Sequence, residues 1–255
     1  EQFIHKAIIY VEVSKMVLAG FVFFYYLKKI HLHDIIAILG SILFILSGYM
    51  VVGGSWYQFS TEGLYAALLL LSYEKYLQEK NPCWLPLPFA LIAGYQPFNL
   101  YWYGLTLMVY SYIRFYNPGM IRSYAKHLYY VGLWSILGAC IAGVFLLPNM
   151  HQYLNSSRGI GDSSFFEFLS DPAKFLLIDK TGLFSALARV FSNDLLGFGS
   201  FYTGWDNYLE SPMLYCGIIS VMMFPQFLIR KQKKSLLLIS IAVFIPIIFP
   251  YFRHA

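Results

Sequence analysis

Ile35 to Val52 reads IIAILGSILFILSGYMVV, eighteen residues without a single charge. A run of that length spans the ~30 Å hydrocarbon core of a bilayer as one α-helix. Nothing in it offers a polar face to water, so it constrains the fold more than any other stretch. Similar runs recur along the chain. Inside a bilayer every backbone N–H and C=O must be satisfied within the segment, which leaves helices as the spanning elements for runs of this length. Only 12% of the residues are charged and 58% are hydrophobic, against roughly 25% charged in ordinary soluble domains. The expected fold class is therefore all-α: a polytopic membrane protein of about eight transmembrane helices.

The runs fall in order as follows. Ala7–Leu27 is the first, with Glu12 and Lys15 three apart on one face of its outer half. Ile35–Val52 and Leu64–Leu77 follow. Pro82, Pro86 and Pro88 delay the next helix, a short one over Leu87–Tyr95, and a Gln96–Asn99 turn leads into Leu100–Phe115. His127–Leu147 carries Gly132, Gly138 and Gly143 for close helix packing and ends at Pro148. Met213–Ile229 and Leu236–Phe252 complete the set. The chain opens at Glu1 without Met and stops at Ala255 as a span ends, so it reads as a single transmembrane domain, 1–255, cut from a longer protein.

Lys28, Lys29, Lys75, Lys80, Arg114, Arg122, Lys126, Arg230, Lys231, Lys233 and Lys234 sit in connectors. All fall on one side if Leu87–Tyr95 and Leu100–Phe115 form an out-and-back pair. The positive-inside rule then makes that side cytoplasmic. The interval Pro148–Pro212 lies outside as an extracytoplasmic loop, with four basic and seven acidic residues. Helix starts at Ser163 or Ser164, at Asp171-Pro172 and over Thr181–Phe191 predict two or three short amphipathic helices on the membrane surface.

The basic residues form no stripe suited to nucleic acid. No phosphate-binding loop, dinucleotide fingerprint or metalloprotease motif is present. His31 and His33 read as solvated, and Cys83, Cys140 and Cys216 as small hydrophobes without metal-ligand spacing. The sequence assigns no cofactor and no metal site, and leaves a divalent metal open.

Three stretches together resemble the bacterial YfhO-like membrane protein family: LLPNMHQYLNSSRG after a glycine-rich span, the turn GYQPFNLYWYG, and GFGSFYTGWDNYLESPMLYCGIIS at the end of the loop. The resemblance runs from about Lys15 to Pro250. It implies a GT-C type glycosyltransferase fold, a polyprenyl-phosphate sugar donor and a cell-surface polymer acceptor on the outer face of the bacterial cytoplasmic membrane. It also implies a catalytic Asp in a first outer loop, upstream of this chain. Glu62, Asp206 and Glu210 are the carboxylates available within it.

Sugar transfer needs a base on the acceptor hydroxyl and cationic groups on the leaving phosphate. Arg158, between Ser156-Ser157 and Gly159, suits bidentate phosphate recognition, and Lys15 is a second phosphate contact. Asn207, Trp205 and Trp56 suit sugar hydroxyls and faces. Each has a plainer reading: a Glu12–Lys15 pair, a loop-fixing bridge for Arg158, helix capping for Glu62 with Ser60 or Thr61, capping of the Met213 helix by Ser211 and Pro212 near Asp206, Asn207 and Glu210, and interface-belt aromatics for Trp56 and Trp205. Two other functions stay open: a lipid or polysaccharide flippase or transporter, which requires a continuous polar path across the spans, and a non-catalytic membrane assembly protein.

Overall fold

The computed structural model describes residues 2–54, 57–115, 121–156, 179–204, 208 and 213–229, and among these all regular structure is helical. The helices are α1 (Gln2–Lys29), α2 (Asp34–Ile45), α3 (Gly48–Gly53), α4 (Phe59–Glu79), α5 (Pro86–Tyr95), α6 (Asn99–Phe115), α7 (Ile121–Ile141), α8 (Gly143–Leu154), α9 (Lys180–Phe191) and α10 (Ile218–Ile229). They pack as two compact units. One comprises residues 1–46 and 53–149, the other 47–52 and 150 onward.

The first unit is built on α4. Ser60, Gly63, Ala67 and Glu74 recur at helical spacing along it, and all are buried. Its neighbours alternate in direction. Lys29 of α1 pairs with Glu79, whereas Glu12 of α1 meets Ser60, so α1 runs parallel to α4. Tyr103 and Arg114 of α6 meet Glu62 and Glu74, so α6 is parallel too. Lys75 over Trp84 and Tyr65 against Tyr95 make α5 antiparallel to α4. A Cβ on Gly20 would meet Ile45 and one on Gly40 would meet Leu27, which sets α2 antiparallel to α1. A core of Leu69, Tyr73, Leu85, Phe89, Ile92, Leu107 and Val131 fills the space between α4, α5, α6 and α7.

The distribution of polarity is the reverse of a water-soluble domain. Glu12, Ser60, Thr61, Glu62, Ser72, Glu74 and Ser111 are buried, while Ile9, Phe21, Ile35, Ile136, Val144 and Leu147 stand outside. A monomer in water seldom exposes contiguous apolar surface on that scale; a hydrocarbon solvent removes the penalty.

Several boundaries differ from the sequence reading. The run Ile35–Val52 is two helices, because the chain breaks at Leu46–Ser47 and the Gly48 N–H leaves the helical ladder for Tyr215 O at 2.8 Å. The span ending at Pro148 is also two. The chain turns by 83° at Ala142, and α8 continues through Pro148 to Leu154. Helix α10 begins at Ile218 and not at Met213, since 213–217 are not helical and Gly217 has φ of 94°. Ser211 and Pro212, expected to cap a helix starting at Met213, lie outside the described residues. The short helix, the Gln96–Asn99 turn and the start of α6 fall within a residue of expectation. All three cysteines are exposed, not buried: on an apolar exterior a small thiol is at home. Among the described residues, one helix, Lys6–Lys29, is long and apolar enough to cross a membrane alone; Ser123–Ile141 with Gly143–Leu154 qualifies only as a bent pair. Helix α4 owes its lower hydropathy to Glu62, Glu74 and Lys75, and the two carboxylate residues are turned inward.

Of the three glycines expected to mediate packing in α7, Gly138 is the one that does. A Cβ there would stand 2.6 Å from Pro86 O and 3.1 Å from Ala90 N, whereas Gly132 and Gly143 have nothing within 4 Å. Because the obstructing atoms are backbone, Gly138→Ala must push α5 and α7 apart. It is expected to destabilise the protein by about 1–3 kcal/mol. Gly132→Ala is expected to be neutral or slightly stabilising, and thermal unfolding in detergent micelles compares the two.

Candidate functional site

The ends of α4 carry the buried polar groups of the first unit. They lie ~18 Å apart, the rise of twelve helical residues.

At the N-terminal end, α1 supplies Glu12 and Lys15. Lys15 Nζ lies 2.5 Å from Glu12 Oε1, 2.8 Å from Tyr57 O and 3.0 Å from Thr61 Oγ1. An ammonium has three N–H donors, so each has an acceptor, and an anion arriving here must displace one of them. Ser60 Oγ donates to the other Glu12 oxygen. Ser60 and Thr61 were expected to cap α4 but lie inside it and face α1. The cap position belongs to Gln58, which makes no side-chain capping bond. Glu62 sits in the first turn of α4, where a negative charge is favoured by the exposed N–H groups. Its residue is buried, and its carbonyl accepts from Tyr103 Oη at 2.9 Å. The structure thus brings the Lys15 ammonium onto the helical turn that carries Glu62. A charge inside a span is costly unless paired, and the Glu12–Lys15 pair meets that requirement.

At the C-terminal end lies a cluster that the sequence reading passed over as connector charge. The Glu74 side chain is fully buried. Arg114 grips it with Nε 2.8 Å from one oxygen and a terminal nitrogen 2.8 Å from the other, a bidentate geometry. Tyr110 Oη donates to Glu74 Oε1, and Tyr26 Oη donates to Tyr110 at 3.0 Å. Gln78 Nε2 adds a bond to Oε2 at 3.2 Å. Tyr73 Oη and His127 Nε2, 2.8 Å apart, tie α7 to the same region. The signal for this cluster was available: Glu74 continues the buried stripe of Ser60, Gly63 and Ala67.

In the second unit the polar loop shows its organisation through α9. Asp179 caps it, accepting from the Gly182 N–H at 2.8 Å. The helix turns Gly182, Ser185 and Arg189 inward and Leu183, Phe184, Leu187 and Phe191 outward. Arg189 is fully buried. Its guanidinium lies 4.6 Å from the Tyr208 ring and 5.3 Å from the Tyr202 ring, and its Nε donates to Asn193 O at 3.2 Å. Tyr208 donates to Asp194 at 2.5 Å, and burial together with that bond pushes its phenol up to about 12. The apolar period of Thr181–Phe191 was legible; that its polar face would be the buried one was not. This arrangement is expected of a helix whose outer face meets lipid.

Arg158, Asp206, Asn207, Glu210, Trp205 and Trp56 lie outside the described residues, as do the helix starts expected at Ser163 and Asp171. Among the described residues no three His, Cys, Asp or Glu side chains converge as a metal site would require.

An all-helical architecture with ion pairs inside and aliphatic side chains outside defines the class: a helical membrane protein. The chain matches, over residues 1–254, the family described as bacterial membrane protein YfhO, and it belongs to that family. No curated protein and no solved structure matches it.

The pairing at the N-terminal end of α4 has a direct consequence. Glu12→Gln leaves the Lys15 ammonium without its counter-charge and is expected to cost about 3 kcal/mol, as is Lys15→Met. The double variant removes both charges and should cost clearly less than the sum. Unfolding of the three variants in mixed micelles measures the coupling, and strict additivity would show that the two groups do not interact.

Proposed function

We propose that this protein is an integral-membrane glycosyltransferase of the GT-C type. It moves a sugar from a polyprenyl-phosphate donor to a cell-envelope acceptor on the outer face of the cytoplasmic membrane. The observation that carries this reading is the concentration of hydroxyl-, carboxylate- and guanidinium-bearing residues in one interval, 148–212, of a YfhO-family chain that is otherwise apolar. The described part of that interval supports it, since α9 presents an apolar face outward and keeps Arg189 within a tyrosine cage.

The proposed topology has eight spans, with basic connectors cytoplasmic and the 148–212 loop extracytoplasmic. The alternating helix directions of the first unit support it. Lys29, Glu79 and Arg114 gather at one end of α4, as shared sidedness of their connectors requires. Tyr57 and Thr61 meet Lys15 at the other. Between the two polar ends α4 buries Leu64, Ala67 and Leu69. That apolar layer weighs against a polar conduit through this unit and hence against a transporter.

In the proposed reaction an acceptor hydroxyl attacks the anomeric carbon. A carboxylate removes its proton, and the C–O bond to the lipid phosphate breaks with its electron pair going to the phosphate. Arg158 holds that phosphate, with Lys15 as a second cation released from Glu12. Asn207 takes sugar hydroxyls, and Trp205 and Trp56 take sugar faces. Glu62, Asp206 and Glu210 are the carboxylates of this chain proposed as base or hydroxyl acceptor.

The full-length protein, reconstituted with a polyprenyl-phosphate-linked radiolabelled sugar and envelope acceptor, is expected to transfer label. Arg158→Ala should lower transfer by about 100-fold. Undiminished transfer by that variant removes Arg158 from the assignment, and absence of transfer by the unaltered protein overturns the reading.

A further inference from the structure

Two cavities on the first unit share one residue. The first is a groove of about 320 Å³ between α1 and α2, walled by Val17, Phe21 and Tyr25 on α1 and by Ile38 and Ile45 on α2. Val17, Phe21 and Tyr25 are four residues apart and form one stripe along α1. The second, of about 460 Å³, begins at that same Tyr25 and is lined by Lys28, Lys29, Leu71 and Lys75. Together they make an apolar trough ~12 Å long, the rise of eight helical residues, which opens into a chamber lined by three lysines.

The lysines are only loosely committed. Lys28 pairs with Asp34 and Lys29 with Glu79 at 2.6 Å, and both carboxylates are largely exposed and free to swing away. Lys75 has a ring as its partner, its Nζ lying 4.2 Å from the Trp84 centroid. Three cations against two carboxylates leave an excess positive charge. Basic chambers at the ends of membrane helices are suited to anionic lipid headgroups.

We infer that the trough and chamber together bind one anionic phospholipid, its phosphate among Lys28, Lys29 and Lys75 and an acyl chain along Val17, Phe21 and Tyr25. The occupant is set by the joint chemistry: a soluble anion would leave the trough empty, and a neutral lipid would leave the lysines uncompensated. This site lies at the end of α4 opposite Lys15 and does not depend on sugar transfer.

The test uses the full-length protein in detergent, exchanged against mixed micelles of phosphatidylglycerol and phosphatidylcholine, with retained lipid counted by native mass spectrometry. The unaltered protein is expected to retain phosphatidylglycerol over phosphatidylcholine by about tenfold or more, and Lys28→Gln/Lys75→Gln to lose that preference. Val17→Trp, which fills the trough and leaves the lysines in place, should lower retention as well. Inorganic phosphate at millimolar concentration should not displace the lipid. Equal retention of the two lipids, unchanged preference in the double lysine variant, or full displacement by phosphate would each overturn the inference.

Discussion

The first unit depends on one buried carboxylate. Glu74 is closed off from solvent by Arg114 and Tyr110, with Tyr26 behind Tyr110. Through that single side chain, α1, α4 and α6 are fixed in register at one end. A lone carboxylate in a hydrocarbon environment is costly; held bidentately by Arg114 and bonded by the Tyr110 phenol, which Tyr26 bonds in turn, it favours one arrangement of the three helices. Hydrophobic burial cannot make that selection in lipid, because the exterior is as apolar as the core. The second end of α4 uses the same logic with Glu12, Lys15, Ser60 and Thr61. Two polar clasps thus hold α1, α4 and α6, and the Tyr73–His127 bond ties α7 to α4.

Between the clasps, small residues let the helices approach. A Cβ on Gly138 would collide with the backbone of α5, and Gly20 and Gly40 leave room for the ends of the Ile45 and Leu27 side chains. In the absence of a water-driven collapse, such close packing supplies dispersion contacts between helices. The second unit works differently. There the buried cation is Arg189, held by tyrosine rings and a backbone carbonyl, and the apolar side chains of α9 point outward.

Much of this was legible in the sequence. The all-helical class, the short helix and turn at Gln96–Asn99, the alternating helix directions and the Thr181–Phe191 helix follow from apolar periodicity, proline placement and charge sidedness. The breaks within Ile35–Val52 and at Ala142 were not legible. An apolar run reports compatibility with lipid and says little about where a glycine will leave the helix for a tertiary partner, as Gly48 does for Tyr215. Glu74 was passed over because a charge near a run's end looks like connector, although it continues the stripe of Ser60, Gly63 and Ala67, and the facing Arg114 accounts for its burial. Of the residues proposed for the site, Lys15 and Glu62 are placed, on the same end of α4. Lys15 is engaged by three acceptors, which no pattern along one helix could have revealed. The residues from Arg158 to Glu210 proposed for donor and sugar rest on sequence.

In the proposed topology α4 crosses the membrane with its Glu62 end outside and its Glu74 end inside. Single cysteines placed at Gln58 and Lys80, in a chain whose native Cys83, Cys140 and Cys216 are replaced by serine, test it directly with a membrane-impermeant maleimide on intact cells. Gln58→Cys is expected to be labelled from outside, and Lys80→Cys only after the membrane is opened. Equal labelling of both positions before permeabilisation, or the reverse pattern, would contradict it.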